Sequence, residues 1–429
     1  MQGVAAKKEN IGGNNFKEAQ RNALDDKNFY IVNGGCAMSD SEWATKIKSD
    51  LTERELALLE KAKGIFTDNI CYGENFPWYP YHCIKPFAYK KGDTGNEGIW
   101  NWDSTFHAIG ALYFDDNLAK EQILGFVQYQ CENGMLPDVM RATGKLEDVS
   151  SKPPVMAWAA GEVYKKTLDL EFVGEVYPRF KKNEEYWRNN RFYKGLFHYG
   201  ADMSKAPFGE LDLYIRWESG WDDSVRWDKP CSDYWPIDLN CFAVMMYRGL
   251  AVLADALGEK EDAEAYKEKE KTLTENINKY LWNDEIKCYV DMNRFSLEPS
   301  IVITPAAFTP LYIGIATKER AEYMSLFGKD KKKFYPGMPT VSYDDPEYSQ
   351  KYWRGNTWLN VAYFAAKGLK NYGFDEIADG IRDTILGWVE NDGDCVHENY
   401  NSTTGEGLFC PRFSWSCVFV IEFILNWGI

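Results

Sequence analysis

The sequence predicts an all-α protein, an (α/α)6 toroid in which six inner helices are wrapped by six outer ones, with long aromatic-rich loops gathered on one face. Three observations lead there. Apolar segments alternate between those apolar nearly all round and those with a single apolar stripe, as buried and solvent-facing helices require. Twelve such segments can be counted, near residues 52–66, 102–114, 117–131, 154–168, 170–190, 237–257, 260–281, 302–312, 317–327, 354–370, 374–391 and 413–426. No repeat of fixed period runs through them, which argues against a solenoid.

The alternation is clearest in two successive pairs. Residues 237–257 are apolar on almost every side and end at Gly258, a natural C′ residue, so this helix is expected inside. Residues 260–281 set Ala263, Tyr266, Leu273, Ile277, Tyr280 and Leu281 on one stripe among lysines and glutamates, the pattern of an outer helix. Downstream, 354–369 is largely apolar and small. Beyond Gly373, residues 374–391 place Ile377, Ile381, Ile385 and Trp388 or Val389 on one face. The long connections at 71–101, 191–235, 283–300, 329–353 and 392–412 are too aromatic for disorder and too long for plain turns, so they are expected to build a pocket, with 71–101 as a candidate lid. Residues 1–30 read as a polar surface arm and 31–429 as a single domain.

Composition excludes several function classes. A net charge of −16 with no basic patch disfavours nucleic acid. The N-terminus has no apolar signal core, and the most apolar run, 417–429, is too short to span a bilayer, so a soluble cytoplasmic protein with no membrane partner is expected. Ten scattered cysteines without a Cys-x-x-Cys motif should be reduced thiols. Four histidines, at 82, 107, 198 and 397, offer no zinc spacing, so no catalytic transition metal is expected; no cofactor is expected either, and a structural calcium stays open. Oligomeric state stays open.

The segment Glu218 to Asp228 concentrates four carboxylates, Trp221, Trp227 and Arg226 around Ser219-Gly220. Its apolar residues follow neither the helical nor the strand period, so it reads as a loop carrying chemistry. A carboxyl beside Trp221 is placed for a desolvation-raised pKa, which a general acid needs near neutral pH. Adjacency leaves Asp222 and Asp223 as equal candidates. Aromatics make up 16% of the chain, and many sit in loops beside charged residues: Trp78-Tyr79-Pro80-Tyr81, Trp100-Asn101-Trp102-Asp103, Tyr352-Trp353-Arg354 and Trp415. Indole stacks on the apolar face of a sugar ring while charged groups bind its hydroxyls, so a small carbohydrate is the expected partner.

Glu218-Ser219-Gly220-Trp221-Asp222 with Arg226-Trp227, followed by Pro236-Ile237-Asp238-Leu239-Asn240, resembles the trehalase signature. Tyr352-Trp353-Arg354-Gly355-Asn356-Thr357-Trp358 resembles an element of glycoside hydrolase family 63. Trp102-Asp103-Ser104-Thr105-Phe106-His107, Glu398-Asn399-Tyr400-Asn401 and Phe413-Ser414-Trp415-Ser416 match the same families in order, so the resemblance spans about residues 100 to 420. It implies an (α/α)6 barrel that hydrolyses an α-glycosidic bond with inversion, with Asp222 in the general-acid position and Glu398 in the general-base position. Trp102, Asp103, His107, Trp221, Arg226, Tyr352, Trp353, Arg354, Trp358 and Trp415 would then form the sugar pocket, while His107 and His397 also read as satisfied core histidines. Asp223 rivals Asp222, and Glu406 rivals Glu398.

The trehalase elements QWDYPNGW and GGGGEYP are absent, so the chain looks most similar to the compact single-domain bacterial members of family 63. That implies a small α-glucoside or α-mannoside as substrate: a disaccharide, a glucosyl- or mannosylglycerate-like molecule, or a short oligosaccharide. A leaving-group carboxylate would need a cation, for which Lys85, Lys90, Lys91, Arg216 and Arg412 are candidates. A sugar epimerase or lyase on the same toroid, or a non-catalytic sugar-binding protein, are the alternatives.

Overall fold

Thirteen α-helices organise the computed structural model, which describes residues 51–73, 76–87 and 97–428. The expected arm at 1–30, part of the candidate lid, and Lys90 and Lys91 lie outside the described residues. In chain order the helices are α1 Glu53–Asp68, α2 Asn101–Ala111, α3 Asp116–Gln128, α4 Met156–Thr167, α5 Leu170–Arg191, α6 Leu211–Ser219, α7 Ile237–Leu257, α8 Lys260–Tyr280, α9 Thr309–Tyr312, α10 Lys318–Lys329, α11 Leu359–Asn371, α12 Asp375–Asn391 and α13 Ser414–Leu425. Side-chain caps start several of them. Thr52 and Glu55 form a capping box on α1, and Asp115, Asp169 and Thr317 accept the first free N–H groups of α3, α5 and α10.

The two kinds of helix are both present. Every residue of α2 is buried, and α4, α7, α11 and α13 are buried along most of their length. In α8 only Ala263, Tyr266, Leu273 and Ile277 are buried, four positions of one stripe. Each buried helix carries an amphipathic one: α2 packs on α3, α4 on α5, α7 on α8, α11 on α12 and α13 on α1. Among themselves α2 contacts α4, α4 contacts α7, α7 contacts α9, α9 contacts α11, α11 contacts α13, and α13 returns to α2. Helix α7 is long and apolar enough to cross a membrane, but 89% of its most apolar window is buried inside the fold, as a core helix is. The α4–α7 crossing is close because two glycines meet there: a Cβ on Gly249 would lie 2.3 Å from the Ala157 carbonyl oxygen.

Three expectations about elements are corrected. The helix expected over 302–312 is a 3-10 turn, Pro305–Phe308, followed by the single turn of α9, because Pro310 removes the donor that would continue a helix back to the Ala306 carbonyl. The helix expected from 354 begins at Leu359; Tyr352 at φ +40° and Gly355 at φ +150° hold the preceding residues in a loop. Helix α6 lies inside the connection 191–235 and contains Glu218 and Ser219, the first two residues of the segment read as loop. The remaining loops are pinned by short antiparallel strands: β1 Ile70–Cys71 with β2 Cys83–Ile84, and the three-stranded β3 Gly98–Trp100, β4 Val139–Arg141, β5 Leu146–Glu147.

Candidate active site

Gly220, in the left-handed conformation at φ +74°, ends α6 and turns the chain so that Asp222 leaves the helix end. The rest of this segment is scaffold. Glu218 is fully buried and accepts from Arg191 Nε at 3.0 Å, Gly200 N at 2.6 Å and Ser151 N at 3.3 Å. Ser219 Oγ accepts from Trp221 N and from Trp227 Nε1, both at 3.0 Å. Arg226 lies between the rings of Trp221 and Trp227 and forks onto two buried carboxylates, Asp238 at 2.7 and 2.8 Å and Asp291 at 2.9 and 3.0 Å. Its donors are thereby committed, so Arg226 stands behind Trp221 as a brace and does not line the pocket.

Geometry separates the adjacent aspartates. Asp223 Oδ1 accepts from Trp353 N at 2.9 Å and its carbonyl accepts from Arg354. Asp222 instead lines a cavity of about 290 Å³ together with Asp138, Arg141, Lys145, Lys152 and Trp217. Burial raises the Asp222 pKa above the ordinary aspartate value, the Lys152 charge opposes the rise, and the Asp223 charge adds to it. Lys152 donates to the Trp217 carbonyl and lies 3.4 Å from Asp138.

Glu398 is held differently. Tyr352 donates its hydroxyl to Oε1 at 3.0 Å, Cys410 N donates to Oε2 at 3.4 Å, and Ser416 Oγ donates to the Glu398 carbonyl. Burial raises its pKa; the Tyr352 and Cys410 donors favour the carboxylate and oppose the rise, while the Asp222 charge adds to it. His397 supports the Glu398 segment: Nδ1 lies 2.7 Å from Asp392 Oδ2, to which Tyr400 also donates. Glu406 is exposed at the turn beyond. Asp103 is buried and electrostatically close to both Lys152 and Glu398, and its carboxyl is pushed up to about 8, by burial first. Burial likewise pushes Asp138 up to about 7.

A chain of indoles lies beside these acids. Trp353 stacks on Trp358 with ring centroids 3.9 Å apart, Trp221 packs on Trp353 at 5.0 Å, Trp358 on Trp415 at 5.7 Å, and Trp415 on Trp102 at 5.9 Å. The buried N–H groups of Trp102, Trp221 and Trp415 have no partner among the described residues, a condition that buried donors rarely tolerate without a ligand or water.

Two further expected pocket residues lie elsewhere. His107 is fully buried one helical turn below Asp103, packs against Phe66 and shares a 2.8 Å hydrogen bond between Nε2 and Ser414 Oγ; burial holds its pKa down to about 3. It is a core histidine. Arg354 turns outward and forks onto Asp228 at 2.7 and 2.8 Å. Two of the expected cations are committed elsewhere: Arg216 pairs with Asp212 and Arg412 with Asp68. Those that line the cavity, Lys152, Arg141 and Lys145, come from the connection 129–155, which was not read as pocket-forming. Its Gly134, Pro137, Gly144, Pro153 and Pro154 were the available signal.

Residues 96–416 match the family model described as the mannosylglycerate hydrolase MGH1-like glycoside hydrolase domain. The chain belongs to this family. Its membership makes the chain a glycoside hydrolase, and the epimerase, lyase and sugar-binding alternatives give way to it. The chain is 25% identical to a mannosylglycerate hydrolase of Rubrobacter radiotolerans over 76% of this chain and 90% of that one. It is 33% identical to a periplasmic trehalase of Escherichia coli, over 46% of this chain and 36% of the trehalase. Its fold resembles that of the family 63 mannosylglycerate hydrolase of Thermus thermophilus solved with Tris and D-glycerate, at a TM-score of 0.70 and 21% identity, covering 86% of this chain and 99% of the other.

Proposed function

We propose that this glycoside hydrolase cleaves a small α-glucoside or α-mannoside with inversion, using Asp222 as general acid and Glu398 as general base in an (α/α)6 catalytic domain that acts in the cytoplasm. The observation that carries the reading is the division of labour between the two carboxyls. Burial raises the pKa of both carboxyls, but Asp222 faces the cavity beside Lys152, whereas Glu398 is absent from that lining and receives two donors that favour its ionised form and oppose the rise. An inverting hydrolase needs this asymmetry: the protonated acid delivers its proton to the departing oxygen while the carboxylate takes one from the attacking water. Trp102, Asp103, Trp221, Tyr352, Trp353, Trp358 and Trp415 supply the ring-stacking and hydroxyl-binding surface for the glycone. The closed sequence of contacts among α2, α4, α7, α9, α11 and α13 supports the toroid.

The acid side of the site is the leaving-group side, and its charge balance favours an anionic leaving group. With Asp222 protonated for its role, the cations Arg141, Lys145 and Lys152 outnumber the remaining acids Asp138 and Glu147, and Asp138, pushed up to about 7, is only partly ionised at neutral pH. A carboxylate offsets this positive excess, as a glycerate-like aglycone supplies. The relatives named as mannosylglycerate hydrolases agree with that choice.

Proton NMR of the first anomer released from glucosylglycerate, mannosylglycerate, trehalose, kojibiose and nigerose tests the reading. A β-anomer appearing first is the expected result; a first-formed α-anomer means retention and removes both assigned roles. Asp222→Asn should lose about 10²–10⁴-fold in kcat on the natural glycoside, the usual worth of a general acid. Full activity of that variant overturns the acid assignment.

A further inference from the structure

We propose that Cys71 and Cys83 form a reversible disulfide, a redox-modification site outside the catalytic centre. The two are direct cross-strand partners in the β1–β2 pair, and their Sγ atoms stand 3.1 Å apart. Antiparallel partners hold their Cα atoms about 4.5–5.5 Å apart, inside the span of about 4.4–6.8 Å that a disulfide bridges, so closure needs no movement of the strands. The nine described cysteines are free thiols, and the other seven lack such a facing partner in the strand register.

Accessibility and chemistry assign the two sulfurs different parts. Cys71 is partly exposed and Cys83 is buried. The hydrogen bond with Cys83 lowers the Cys71 pKa below the ordinary thiol value and Lys85 lowers it further, while the same contact and burial raise that of Cys83. Cys71 is therefore the thiolate that attacks an incoming low-molecular-weight disulfide such as oxidised glutathione. One glutathione thiolate leaves, and a mixed disulfide stands on Cys71. Cys83, losing its proton, then attacks the Cys71 sulfur and expels the second glutathione. The protein gives up two protons and two electrons, and the oxidant becomes two thiols.

The site is tied to the cavity wall. The chain between the cysteines carries Trp78, which donates from Nε1 to the Ala142 carbonyl at 2.8 Å and packs over Gly144 at the tip of the β4–β5 hairpin. Arg141 and Lys145 of that hairpin line the cavity beside Asp222. Closing the disulfide fixes the root of the loop that braces this wall.

The test is peptide mapping of the folded, full-length protein after oxidised glutathione, with remaining thiols alkylated. The expected result is a peptide pair joined through Cys71 and Cys83, lost on dithiothreitol, while the buried Cys231, Cys241, Cys288 and Cys417 stay uncrosslinked thiols. The same treatment in urea should lose the preference for this pair, since the fold supplies the pairing. Cys71→Ser should leave Cys83 without a glutathione adduct. Glutathione persisting on Cys71 with no crosslink, or equal alkylation of Cys71 and Cys83 with and without oxidant, overturns the proposal.

Discussion

Tyr352 keeps a positive φ of +40°, a conformation that costs a non-glycine residue energy, while its hydroxyl donates to Glu398 at 3.0 Å. Its ring is held against Trp358 and Phe409, so the hydroxyl is aimed by packing. A hydrogen bond to a charged group is worth about 1.5–3 kcal/mol, and Tyr352→Phe should lower kcat by about 10–100-fold. The donor favours the carboxylate, so its loss raises the Glu398 pKa. The acidic limb of the pH–rate profile should therefore move to higher pH, and an unmoved limb denies Tyr352 this role. Asp103 makes a separate prediction through stability. Its folded-state pKa of about 8 lies above the ordinary 3.8, so between those values the folded state binds the extra proton and stability falls as pH rises. Asp103→Asn should flatten that loss in urea melts taken from pH 4 to 8. At this scale the sequence offered candidates without ranking them. Asp222 and Asp223 are neighbours of one chemical type, and only the Trp353 amide on Asp223 and the cavity in front of Asp222 tell them apart. His107 and Arg226 carry residue types that suit a sugar, but their partners, Ser414 and the Asp238–Asp291 pair, come from distant parts of the chain.

Secondary structure was legible where burial imposes a period. α7 and α8 begin where apolar patterning and Gly258 put them, because a helix buried all round and one buried along a stripe leave different patterns. α6 was missed because its nine residues hold one short apolar set, Leu211, Tyr214 and Ile215, beside a segment dominated by charge. The pocket-forming connection 129–155 was missed for the opposite reason: its short strands β4 and β5 are held by pairing with β3, which no local pattern announces. The contact between α4 and α7 is equally silent in sequence, since Gly249 inside an apolar helix reads as a weak helix former. Its Cβ would strike the backbone of Ala157 and Trp158 at 2.3–2.6 Å, and backbone cannot rotate away as a side chain can. Gly249→Ala should therefore destabilise by at least about 2 kcal/mol despite the better helix propensity of alanine. Arg226→Met should cost about 3–5 kcal/mol, because Asp238 and Asp291 lose their shared cation in a buried site. Urea denaturation at neutral pH measures both, and an unchanged midpoint in either variant contradicts the packing described.

Over the whole molecule the net charge is −16, which repels an anionic substrate at distances up to the Debye length of about 10 Å at 0.1 M salt. Discrimination in favour of such a substrate must therefore be local, and the cavity in front of Asp222 is where cations from one hairpin and the following loop converge. Arg141 and Lys145 both approach Glu147, at 3.4 and 3.0 Å, so deleting Arg141 alone would change the net charge of the cavity as well as remove the contact, and confuse the measurement. The double change Arg141→Met with Glu147→Gln removes one charge of each sign and leaves the net charge untouched. If Arg141 recognises the leaving-group carboxylate, kcat/KM on a glycerate glycoside should fall by about 10–100-fold, the equivalent of about 1.4–2.8 kcal/mol for one charge-assisted contact. A neutral α-disaccharide, which offers that contact nothing, should change by less than about threefold on the same scale. Equal losses on both substrates would assign Arg141 to supporting the cavity wall, and the anionic leaving group would lose its recognition element.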